Sequence, residues 1–189
     1  MKTDYKILVI GGSAGSFVLV RKILEALPGT FPLPIVLCLH RRRDISNGFV
    51  ESLNPVSKLK VLEPCDKDPI QRGHVYLDPS NYHMFIERGE TFALSTEKEE
   101  NYSRPSIDLT FESAGKVYGK RMIGIMLSGA NSDGAKGILS SKNNGAYTII
   151  QDPEEALFDT MPREALKLVS PDEILSCDGI ISFLKSLVK

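Results

Sequence analysis

The sequence predicts an α/β fold: a doubly wound, mainly parallel sheet flanked by helices, with an antiparallel β extension in the middle of the chain. Three observations carry this. Four short runs, ILVI at residues 7–10, IVLCL at 35–39, MIGIML at 122–127 and YTIIQ at 147–151, are almost continuously apolar, as strands buried on both faces of a parallel sheet are. Glycine-rich turns and helical periodicity follow the first and third of these runs. Between residues 59 and 94 the pattern changes to short strands separated by turn signals.

Taken in order, residues 7–10 form a strand stopped by Gly11 and Gly12. A helix follows over residues 16–27, with Phe17, Val20, Ile23, Leu24 and Leu27 at helical spacing and Pro28-Gly29 ending it. The 35–39 strand then completes a right-handed βαβ unit. Residues 59–62, 75–77, 84–87 and 92–94 read as the antiparallel extension, with Arg88-Gly89-Glu90 as a hairpin tip. A helix over 106–118 has Ser106 as N-cap and Asp108 in its first turn. The 122–127 strand, a helix over 133–143 and the 147–151 strand form a second βαβ unit. Helices over 162–168 and 180–187 end the chain, and all of residues 1–189 read as one domain.

Composition narrows the function. Of 189 residues, 42% are hydrophobic and 25% charged, and the net charge of -1 gives no basic surface for nucleic acid. No apolar run approaches ~18 residues and no leader pattern opens the chain, so a cytoplasmic protein without membrane insertion is expected. The three cysteines, Cys38, Cys65 and Cys177, form no CxxC pair, so neither a metal site nor a disulfide framework is expected.

Chemistry in such sheets gathers beyond the carboxyl ends of the strands. Three features fall there. GGSAG at residues 11–15 matches G-x-S-x-G, a turn that presents Ser13 at the sheet edge, with the Ala14 N–H as an oxyanion donor. Such a turn also suits phosphate binding, because the same free N–H groups attract any anion. His40 ends the second strand, within reach of Ser13 if the two strands are neighbours, where a neutral imidazole serves as general base. Asp133 follows the 122–127 strand; it reads either as a helix N-cap or as the acid that orients His40. His74 and His83 lie in the middle segment and read as structural.

Together these residues resemble the CheB protein-glutamate methylesterase family. IGGSAG at 10–15 is similar to that family's serine loop, and GHVYLDPSNYHM at 73–84 to its G-x-V-Y-x-x-P-x-x-x-H-M segment. RPSID at 104–108, LSGANSDGAKG at 127–137, QDP at 151–153 and MPR at 161–163 match further stretches in the same order. The resemblance implies a triad of Ser13, His40 and Asp133 hydrolysing γ-methyl esters of glutamate on chemoreceptor helices through an acyl-enzyme. Deamidation of glutamine is left open as a further activity. It implies oxyanion N–H groups at Ala14 and Ala130, and Arg104 and Arg163 as residues that hold the acidic substrate or brace loops. No cofactor is implied.

Ser16 stands where the family has a second glycine, and Ala130-Asn131 where it has Met-Gly. Arg41, Arg42 and Arg43 replace a less charged stretch and read as a solvated loop or a steering patch. Members of the family often carry an N-terminal receiver domain. Here only Met1 to Lys6 precede the first strand, so the chain reads either as a piece of a receiver-containing protein or as a stand-alone esterase, whose expected partners are a receptor and a separate response regulator. Two other readings are open: a receptor-binding module without turnover, and an NADP-binding Rossmann-type protein using GGSAGS and the three arginines.

Overall fold

Alternate residues of each central strand enter opposite cores, and this decides the layering. The computed structural model describes residues 4–40, 48–101 and 103–188. Strand β1 (Ile7–Gly12) is buried along its whole length. Leu8 and Ile10 join Leu19, Val20, Ile23 and Leu24 of helix α1 (Ser16–Ala26). Ile7 and Val9 join Phe111 and Ala114 of helix α3 (Ile107–Tyr118) on the other face. Strand β2 (Ile35–Leu39) divides likewise, with Ile35, Leu37 and Leu39 on the first face and Val36 and Cys38 on the second.

A short helix, α2 (Phe49–Leu53), leads to β3 (Lys60–Leu62) and β4 (His74–Leu77). The remaining strands of the main sheet are β7 (Met122–Met126), β8 (Tyr147–Gln151) and β9 (Glu173–Leu175), with helices α4 (Ala135–Asn143), α5 (Thr160–Leu168) and α6 (Cys177–Ser186) between and after them. The sheet has seven strands in the order β3-β4-β2-β1-β7-β8-β9, every pairing parallel. Strand order therefore reverses between β1 and β7, the topological switch point at which open α/β sheets bind ligands.

The sequence reading of the middle segment requires correction. The strands at 59–62 and 75–77 are not antiparallel: as β3 and β4 they extend the parallel sheet beside β2. Only β5 (His83–Ile86) and β6 (Phe92–Ser95) form an antiparallel pair, with the predicted 88–90 tip between them. No helix among the described residues is long and apolar enough to cross a membrane.

Helices α3 and α4 meet almost backbone to backbone. A Cβ on Gly137 would lie 2.6 Å from both Cα and the carbonyl oxygen of Asp108, and one on Gly115 would lie 2.8 Å from Cα of Ser141. Backbone cannot yield as a side-chain tip can. Gly137→Ala is therefore expected to destabilise by a net ~2 kcal/mol: overpacking costs up to ~3 kcal/mol, offset by the ~1 kcal/mol that alanine gains in a helix. A thermal melt checks this, and an unchanged or raised midpoint would contradict it.

Candidate active site

Ser13 is the first residue beyond β1. Its N–H donates to Ser128 O at 2.9 Å, and its carbonyl accepts from Ser16 N at 3.0 Å and from Ser16 Oγ at 2.6 Å. Ser16, the departure from the family's glycine, is thus buried and spent on bracing the serine turn. Gly15 turns the chain into α1 with φ 82. A side chain there would be strained, and its Cβ would fall 2.9 Å from Ser128 Oγ and Leu157 Cβ. Among the described residues, none forms a hydrogen bond with Ser13 Oγ, and neither Ala14 N–H nor Ala130 N–H has an acceptor.

His40 extends the ladder by one bond, its N–H donating to Gly12 O at 3.1 Å. That bond seats it beside Ser13, since Gly12 and Leu39 are paired across β1 and β2. Its Nε2 lies 2.7 Å from Oδ2 of Asp133, whose side chain is fully buried. The carboxylate also accepts Ile107 N–H at 2.7 Å, Ser106 Oγ–H at 3.0 Å, Asn101 Nδ2–H at 3.2 Å and Asp108 N–H at 3.3 Å. Burial alone would raise the Asp133 carboxyl; the hydrogen bond and charge of His40, with the Ile107 and Asn101 donors, overturn that and hold it below its ordinary value.

This explains a departure from the sequence reading. Asp133 does not cap the helix that follows it, whose N-cap is Gly134 with φ 96. It reaches instead to α3 and takes the unpaired N–H groups of that helix's first turn, so one carboxylate caps α3 and bonds His40 at once. Ser106 holds the predicted N-cap position of α3, but its hydroxyl donates to Asp133 rather than accepting from the helix. Behind them the nearly buried Asp108 accepts Gly137 N–H at 2.6 Å. Burial pushes the Asp108 carboxyl up, and the Asp133 charge adds to that push against the Gly137 bond.

Residues to which the sequence reading gave no role complete the surroundings. Asn101 donates one amide to two carboxylates, Asp133 and Asp108. Gln151 accepts Ser128 N–H at 2.8 Å and so fixes the loop that receives the Ser13 N–H. Asn131 places Nδ2 3.2 Å from His40 Nδ1, while its Oδ1 accepts Asp133 N–H at 3.2 Å. Leu157 and Phe158, both exposed, form an apolar shoulder over Gly15 and Ser128.

The two arginines differ. Arg104 directs its guanidinium to neighbouring loops at the surface, donating to Asn81 Oδ1 at 2.7 and 3.1 Å, Thr96 O at 2.7 Å and Glu97 O at 2.8 Å. Arg163, half exposed, pairs with Asp159 at 2.6 Å and Glu154 at 2.7 Å. His74 and His83 bond backbone carbonyls, those of Arg72 and Lys98. Arg41, Arg42 and Arg43 lie outside the described residues. Among the described residues no three of His, Cys, Asp and Glu gather as a metal site.

A parallel α/β sheet with a histidine–carboxylate pair at its switch point suits hydrolytic chemistry, and its relatives make the class carboxylic ester hydrolase. The chain belongs to the CheB methylesterase family, whose model matches residues 8–184. A relative from Leptospira interrogans is 41% identical over 177 residues, which are 94% of this chain and 92% of the relative. One from Geobacter metallireducens, called a protein-glutamate methylesterase/protein-glutamine glutaminase, is 37% identical over 183 residues; the match spans 96% of this chain but 53% of that longer protein. The crystal structure of the Thermotoga maritima CheB methylesterase catalytic domain superposes with a TM-score of 0.91 at 30% identity, covering 97% of this chain and 99% of that one.

Proposed function

We propose that this domain hydrolyses γ-methyl esters of glutamate on chemoreceptor helices, with Ser13 as nucleophile, His40 as general base and Asp133 as the orienting acid. The observation that carries the reading is the 2.7 Å His40–Asp133 pair, held beside the Ser13 turn at the switch point. Because Nε2 is engaged by the carboxylate, the nitrogen left to serve Ser13 is Nδ1. Ser13 Oγ attacks the ester carbonyl as its proton passes to Nδ1, and Ala14 and Ala130 N–H face the oxyanion. His40 then returns the proton to the departing methoxide, releasing methanol. Water, deprotonated by His40, cleaves the acyl-enzyme to glutamate and restores Ser13. The same acyl-enzyme formed from glutamine would release ammonia, the second activity named in the relatives.

Arg104 acts as a brace, because its donors are consumed by Asn81, Thr96 and Glu97. Arg163 keeps half of its surface for an acidic substrate segment. Methanol release from a methylated chemoreceptor cytoplasmic fragment tests the reading, with Ser13→Ala beside the parent. Release by the parent alone supports it. Equal release by both removes Ser13 as nucleophile, and none from either, with both folded, favours a receptor-binding module without turnover.

A further inference from the structure

Nothing in the triad reading requires a side chain at position 131, yet Asn131 touches two of its members. Its Oδ1 accepts Asp133 N–H at 3.2 Å, which turns its amide NH2 toward His40, where Nδ2 lies 3.2 Å from Nδ1. With Nε2–H directed at Asp133 at 2.7 Å, the neutral imidazole that serves as base has its one in-plane lone pair at Nδ1. Asn131 occupies that lone pair. Ser13 Oγ–H, free of any partner among the described residues, needs the same one. Resting on the triad reading above, we propose that Asn131 is a positioning residue that latches His40: it fixes the ring's tautomer and withholds Nδ1 from Ser13 until substrate binding displaces the amide.

The latch has two opposed effects. Holding Nε2–H toward Asp133 keeps the ring in the tautomer the reaction uses. Competing for Nδ1 slows the approach of the serine proton, and a 3.2 Å hydrogen bond from the amide to the ring is weak enough to be broken in each turnover. Removing the amide while keeping the backbone therefore speeds the serine, whereas reversing its polarity does the opposite. A carboxylate at 131 accepts instead of donating, so it keeps a proton on the nitrogen that must receive one.

A fluorophosphonate probe reads this without the natural substrate: Ser13 Oγ bonds to phosphorus, fluoride leaves, and the serine proton passes to His40. Labelling of the full chain at pH 8 is expected to be about three- to ten-fold faster in Asn131→Ala than in the parent, the size of one hydrogen bond, and slower than the parent in Asn131→Asp. Imidazole nitrogen NMR supplies a second readout. Nδ1 of His40 should move to the position of a free acceptor in Asn131→Ala, with Nε2 still protonated. Labelling of Asn131→Ala at the parent's rate or below, or an unmoved Nδ1, would overturn the latch and leave the triad standing. No Ser13 labelling in parent and variant alike would overturn the triad and the latch together.

Discussion

Ser13→Ala is expected to lower kcat for methanol release on the order of 10⁶-fold, the loss seen when a hydrolase loses a residue acting as one unit with its base. The change should leave the fold untouched, because no described residue depends on Ser13 Oγ for a hydrogen bond. What holds the turn is main chain and Ser16: Ser13 N–H on Ser128 O, and Ser16 Oγ on Ser13 O. Stability should therefore stay within ~0.5 kcal/mol of the parent, as for other substitutions that break no packed contact. Paired melts and methanol assays separate the two quantities. A variant that kept more than a tenth of the parent's rate would remove Ser13 from the chemistry, and one that melted far lower would mean the loss was structural.

How legible the fold was depended on whether a segment's surroundings were written into its own residues. Strands β1, β2, β7 and β8 are apolar because both of their faces are covered, and each was readable to within two residues. Direction is a different matter. Strands β3 and β4 are three and four residues long, and alternation over so few positions is the same whichever way the neighbour runs. Their parallel pairing rests on the loop between them and on β2, not on their own pattern. Strand β9 has Ile174 half exposed, and so carries no apolar signal.

The site divides in the same way. Ser13 and His40 stand at strand ends that local pattern places side by side. Asp133 could be seen, but its partners could not, because a following Gly-Ala-Lys makes it look like the cap of its own helix. Its actual donors come from α3 and from Asn101, 25 to 32 residues away in sequence. Only folding brings α3 across α4, through the glycine contacts that let Asp108 and Gly137 meet. Asn131 was visible as a departure from the family's glycine, yet its contact with His40 depends on the loop geometry after β7 and on nothing in its own neighbourhood of residues.

Asp133→Asn tests both roles of that residue at once. An amide nitrogen in place of Oδ2 would point its hydrogens at His40 Nε2 and at Ile107 N–H, two positions where the carboxylate now accepts. Nε2 would answer by accepting, which moves the ring proton to Nδ1 and removes the lone pair Ser13 needs. A wrong tautomer of this kind costs about 10⁴-fold in kcat. The blocked Ile107 N–H and the weakened cap on α3 should cost about 2–3 kcal/mol of stability as well. That penalty has a pH signature. Because the folded carboxyl is held below its ordinary value, its stabilising contribution is complete above the unfolded aspartate value of about 4 and fades as pH falls through the folded value. Urea melts at pH 7 should therefore separate parent and Asp133→Asn widely, and the gap should narrow as the pH is lowered through that window. A gap that stayed constant with pH would mean that ionisation of the Asp133 carboxyl adds no stability, and that the loss in Asp133→Asn comes from the mismatched hydrogen bonds alone.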